Sequence, residues 1–293
     1  MGKLVASRRA LLASLAGAAL HSGSLLKGAS TGQRSLVFIR LASDSGFAAI
    51  GPDASGHSLP VTIAGSGQQL TLHPALVDVQ RLFESNLVAL VDETAAGGVQ
   101  RDYAPDGFGA PAWLLAATGT SVTNPQHAYG FSSGLMMLVG GSSVAGSHLD
   151  NPLLLSQASR GNFVFPASSI GQQLRQVAGL LSSYGGSRHF VVSLGASPAV
   201  GGSADQAAAR LSQFDAALSA FTAATNTLGI AAGVTTVTDP DLCSATGQRL
   251  LMVAGGRVLG GQLYSLGSSD VDGELAAWAG LGSASASSTR FVY

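Results

Sequence analysis

The sequence predicts an α/β protein with a mostly parallel central sheet flanked by helices, and three observations carry that expectation. Between Ser169 and Asp241 two helical patterns alternate with two short apolar runs, 190–194 and 234–238. Further short runs, 36–39 within the segment 35–41, 87–91 and 250–254, are apolar, the habit of strands covered on both faces in parallel sheets. Strand, helix, strand in that order calls for a crossover connection, and a crossover makes parallel pairing.

The unit between Ser169 and Asp241 is the clearest. Ser169 and Gln172 have capping-box spacing, in which a hydroxyl and an amide satisfy free donors of the first turn. Leu174, Val177, Ala178 and Leu181 then share a face, and Gly185 and Gly186 stop the helix. A second box, Ser203 and Gln206, opens a longer pattern of Leu211, Phe214, Leu218, Phe221, Thr225 and Leu228 that ends at Gly229. Parallel sheets carry their chemistry at the C-terminal ends of the strands, so the loops 195–202 and 239–247 are where function is expected.

Upstream, 35–41 is the first strand and 40–46 a polar loop after it. The Gly-, Ser- and Pro-rich stretch 53–67 reads as surface loop. Pro74 marks the first turn of a helix with Leu76, Val79, Leu82 and Phe83 inward. A short helix over 110–117, a loop over 118–129 and a strand over 135–139 follow. Downstream of the 250–254 strand, the Gly255-Gly256 turn suggests that 258–264 pairs back as a hairpin. A helix over 270–281 and a mobile tail over 282–290 complete the chain.

Composition excludes several classes. The 293 residues suffice for one large α/β domain, and 46% hydrophobic residues in periodic blocks exclude a disordered chain. Formal charge is −1 and the arginines are dispersed, so no nucleic-acid surface is expected. Cys243 is the only cysteine, which excludes an internal disulfide and a cysteine-based zinc site.

The front of the chain is different. Lys3, Arg8, Arg9 and Lys27 gather there, and beyond Lys27 every basic residue is an arginine. Ser7-Arg8-Arg9-Ala10-Leu11-Leu12 resembles a twin-arginine export signal, and the apolar stretch 10–20 is short of the roughly 20 residues a spanning helix needs. Residues 1–31 are therefore expected to be a signal segment read by the twin-arginine translocase during export, and 32–293 a single α/β domain. The residues just before Thr31, Gly28-Ala29-Ser30, are not a clean Ala-x-Ala cleavage site, so retention of an uncleaved segment is an alternative to release. The expected location is periplasmic or extracellular.

Four landmarks then resemble a bacterial family known as domain of unknown function 1501. They are the strand and loop 38–46, Leu72-His73-Pro74-Ala75-Leu76 with strand 87–91, Gly171-Gln172-Gln173-Leu174-Arg175-Gln176-Val177 with Val191-Val192-Ser193-Leu194-Gly195, and 255–264. The resemblance implies an alkaline-phosphatase-like core related to sulfatases and a divalent-metal site at the strand ends. The family's metal-site motifs are eroded in this chain. Where the family reads Arg-Gly-Gly-x-Asp-Gly, this chain has Arg40-Leu41-Ala42-Ser43-Asp44-Ser45-Gly46, keeping the acid alone. The family's Asp-Thr-His is replaced by Ala196-Ser197-Pro198-Ala199, and its Ser-Asp/Glu-Phe-Gly-Arg-Thr by Pro240-Asp241-Leu242-Cys243-Ser244-Ala245. An Asp-His-Gly segment before strand 250–254 is missing.

Hydrolases of that superfamily need several Asp and His ligands converging on a divalent metal. Asp44, Asp239 and Asp241 are carboxylates placed to converge at strand ends, and three carboxylates would suit Mg²⁺ or Ca²⁺. Loop aspartates otherwise stabilise turns and caps, and Asp239-Pro240 is ordinary turn chemistry. His73 and His148 are the histidines to weigh as distant ligands, although a His before Pro at a helix start ordinarily orients or caps. His148 and Asp150 would share a face only in a strand, and Gly146 and Pro152 favour a loop. His189 beside Arg188 is expected to mark the solvent end of its strand. Cys243 has no neighbouring histidine to activate it, and Gly-x-Ser-x-Gly and Gly-x-Gly-x-x-Gly are absent. The sequence thus points to a non-catalytic binding or assembly component of the cell envelope, with an unidentified envelope protein or ligand as partner and no cofactor. The alternative is a metal-dependent phosphoric or sulfuric ester hydrolase with a rearranged site that would use a divalent ion.

Overall fold

The computed structural model describes residues 35–41, 56–64, 66–92, 111, 114, 128–132, 135–138, 163–183, 189–194, 204–239, 250–255 and 260–265. All of them lie in the second of two units into which the chain parts, Arg34–Tyr293. The strands are β1 (Ser35–Leu41), β2 (Leu59–Thr62), β3 (Gln69–Leu72), β4 (Val88–Asp92), β5 (Ala128–Ser132), β6 (Leu135–Leu138), β7 (His189–Leu194), β8 (Val234–Asp239), β9 (Leu250–Gly255) and β10 (Leu263–Ser265). The helices are α1 (Val77–Glu84), α2 (Ser169–Ser183) and α3 (Ala204–Thr227).

Eight strands form one sheet in the order β10-β4-β9-β8-β1-β7-β6-β5, and β2 pairs antiparallel with β3 as a separate hairpin. β1 runs parallel to both β7 and β8, and β10 parallel to β4. The remaining pairs are antiparallel. Followed across the sheet, these pairings leave β6 and β9 opposed to the other six strands. The expected α/β architecture, a sheet with parallel strands flanked by helices, is therefore what the chain forms, and the sheet is mixed, with three parallel and four antiparallel pairings among its described strands. The two strands of the unit between Ser169 and Asp241 are each parallel to β1, which lies between them, so the α3 crossover passes over one strand.

β1 is central because it is covered on both faces. Leu36, Val37, Phe38 and Ile39 are fully buried. On one face Val37, Ile39 and Leu41 join Phe190, Val192, Leu90 and Met252 beneath the helices. The opposite face, with Leu36, Phe38, Val191 and Val237, is equally closed. Each such side chain contributes about 1.5–3 kcal/mol of transfer free energy, which makes this three-strand centre the principal stabilising block. Above the first face, α3 supplies Leu211, Phe214, Leu218 and Phe221, and α2 supplies Leu174, Val177 and Ala178. Both stripes are those the sequence periodicity marks. α3 ends at Gly229 with φ +68°, and the amide of Ile230 donates to the Thr225 carbonyl at 3.0 Å, closing the last turn.

Several local expectations are corrected. β10 does not return beside β9: both edges of β9 are occupied, by β8 and β4, so the chain passes on and β10 adds to the far side of β4. Residues 53–67 are not all loop, because Val61 and Ile63 alternate inward and β2 pairs with β3. Strand β5 takes the end of the expected loop at 118–129. The first helical turn after Pro74 is a separate turn, and α1 starts at Val77.

The expected capping box gives way to a simple cap one residue earlier. Ser168, not Ser169, accepts the Gly171 amide at 3.3 Å, and Gln172 Nε2 donates to the Pro166 carbonyl at 3.2 Å. The reason is the tight entry: a Cβ on Gly171 would overlap the Pro166 carbonyl, so the chain turns at 166–168. The expected helix at 270–281, the tail at 282–290, most of 110–117, and Arg8 and Arg9 lie outside the described residues.

Candidate functional site

β1, β4, β7 and β8 point the same way, so Leu41, Asp92, Leu194 and Asp239 end together on one edge of the sheet. This is the edge at which parallel sheets present ligands. Register fixes what stands side by side: Arg40 lies opposite Asp239 of β8 on one flank and opposite Ser193 of β7 on the other. Asp239 has no solvent-exposed surface, while Arg40 is half-buried. A carboxylate in such a place is tolerated when charge or hydrogen bonds compensate it from within the protein, and a guanidinium on the adjacent strand is that kind of neighbour. On the helix-covered face, the Thr238 hydroxyl is buried at 1% exposure and makes no hydrogen bond among the described residues.

The candidate residues do not all fall at this edge. Asp239 does. Asp44, three positions past β1, and Asp241, two past β8, lie outside the described residues, as do His148 and Cys243. His73 is in the turn between β3 and α1, where its Nδ1 accepts the Ala75 amide at 3.1 Å, the orienting role that a His before Pro suggests. His57 is exposed just before β2. His189 departs from expectation: it opens β7 and is buried at 4% exposure, because Leu36 and Leu138 flank it in register at the opposite edge of the sheet.

Among the described residues, no three of His, Cys, Asp and Glu gather in a way that would hold a metal ion. The described part of the strand-end edge has two acidic residues, Asp92 and Asp239, on strands separated by β9, with Arg40 beside Asp239 in register, which falls short of the several converging oxygen ligands a divalent cation takes. No helix among the described residues is long and apolar enough to cross a membrane.

No protein-family model and no curated protein matches the chain. Solved structures offer a weak similarity. One is the crystal structure of Ps i-CgsB in complex with k-i-k-neocarrahexaose, 11% identical with a TM-score of 0.41, covering 86% of this chain and 73% of that one. A likeness at that level carries no argument about activity, and the fold rests on the strand pairings above.

A second polar site was missed by sequence reasoning. Asp215 is on α3 between Leu211 and Leu218, at the three- and four-residue spacings of the apolar stripe, and it is buried at 5% exposure. Its Oδ2 accepts the Asp78 amide at 2.8 Å and its Oδ1 the Val79 amide at 2.7 Å. These are first-turn amides of α1, whose own N-cap position is Leu76 and offers no side-chain cap. The cap comes instead from another helix. Burial pushes the Asp215 carboxyl up to about 6, against the pull of the two amide bonds. The readable signal was an acid placed on a helical face otherwise made of Leu and Phe.

Proposed function

We propose that this is an exported α/β protein, built on an alkaline-phosphatase-like core, that acts by binding or assembly in the cell envelope and not by catalysis. The observation that carries the reading is Asp239. It ends a central strand at the edge where a metal ligand would stand, yet it has no exposed surface and has Arg40 beside it in register. A buried carboxylate needs compensation from within the protein, and an arginine at the paired position of the next strand is a source of it that requires no metal ion. The sequence adds to this: Ala196-Ser197-Pro198-Ala199, past the end of β7, offers no ligand where the resembling family has two. The twin-arginine-like Arg8 and Arg9 support export.

Elemental analysis of the purified full-length chain, with assays on aryl phosphate and aryl sulfate esters, tests the proposal. The expected result is no stoichiometric zinc, manganese, magnesium or calcium and no turnover above buffer. One tightly held metal ion per chain, with turnover abolished by Asp44→Ala, would overturn it in favour of the ester hydrolase.

A further inference from the structure

We draw no further inference here: the strongest candidate, the outer face of α3, where Ala209, Ala216, Ala220 and Ala223 form a stripe of small residues, rests on that stripe alone, and nothing in the structure shows what covers it.

Discussion

Replacing Gly260 by alanine would drive a Cβ into the backbone of the segment that joins α1 to β4. Built on the existing backbone, that Cβ meets the Asn86 carbonyl group and, at 2.7 Å, the Leu87 nitrogen. Ordinary van der Waals contact needs about 3.4 Å or more, so one of the two chains must retreat by roughly an ångström. Neither can do so without loss. Gly261 donates to the Val88 carbonyl at 2.8 Å, Leu90 donates to the Gln262 carbonyl at 3.0 Å, and Ala64 donates to the Gly261 carbonyl at 2.9 Å.

Those three bonds tie β10 to β4 and the hairpin to both. Overpacking costs about 1–3 kcal/mol, and each weakened bond adds about 0.5–1.5 kcal/mol, so about 3 kcal/mol is expected. At about 2–4 °C per kcal/mol for a domain of this size, Tm falls by about 9 °C. Urea denaturation followed by circular dichroism measures it directly. Gly56→Ala is the control, because φ is +80° there but a Cβ would meet nothing within 4 Å, and only about 1 kcal/mol of backbone cost is expected. A loss below about 1 kcal/mol for Gly260→Ala, or one no larger than for Gly56→Ala, would refute the argument that contact between these backbones fixes β10 in place.

Thr238→Val should stabilise the protein by about 1 kcal/mol in the same denaturation experiment. It removes a buried hydroxyl that makes no hydrogen bond among the described residues and keeps the β-branched shape that suits a central strand. A loss of more than about 1 kcal/mol would mean that the hydroxyl has a partner in the native state. Gly171→Ala should cost about 2 kcal/mol despite the higher helix propensity of alanine, because the new methyl would overlap the Pro166 carbonyl and disturb the Ser168 cap. A gain in Tm for that variant would show that the entry to α2 has room to relax.

Much of the architecture was legible because it repeats. β1, β7 and β9 were readable from the apolar runs Leu36-Val37-Phe38-Ile39, Phe190-Val191-Val192 and Leu250-Leu251-Met252-Val253-Ala254, and β8 from its β-branched Val and Thr residues, which suit a central strand. α3 was readable because Leu211, Phe214, Leu218 and Phe221 keep helical spacing over several turns, with Gly229 as the stop. The hairpin of β2 and β3 was less visible. Pro60 and the surrounding glycines and serines carry turn chemistry, and its alternation spans only Leu59, Val61 and Ile63. The destination of β10 was not legible, because pairing with β4 instead of β9 depends on which strand edges are already taken.

The candidate site divides in the same way. That Asp239 stands at the C-terminal end of a strand follows from the sequence to within one residue, since the run of Val and Thr stops at Thr238. That Arg40 is its cross-strand neighbour depends on β1 entering between β7 and β8, a choice made by sheet assembly across almost two hundred residues of chain. Asp215 shows the same limit. A helical projection marks it as an acid on an apolar face, but not as the cap of another helix, because its partners are two backbone amides whose position depends on how α1 lies on α3.

The sequence by itself determined the α/β class, the main strands and helices and the closed core, because each follows from local periodicity and burial. Tertiary structure alone decided the strand order, the pairing of Arg40 with Asp239 and the clasp of Asp215 on α1. The physical reason is that register, edge occupancy and desolvation belong to assembled elements and are not encoded in the spacing of any one of them.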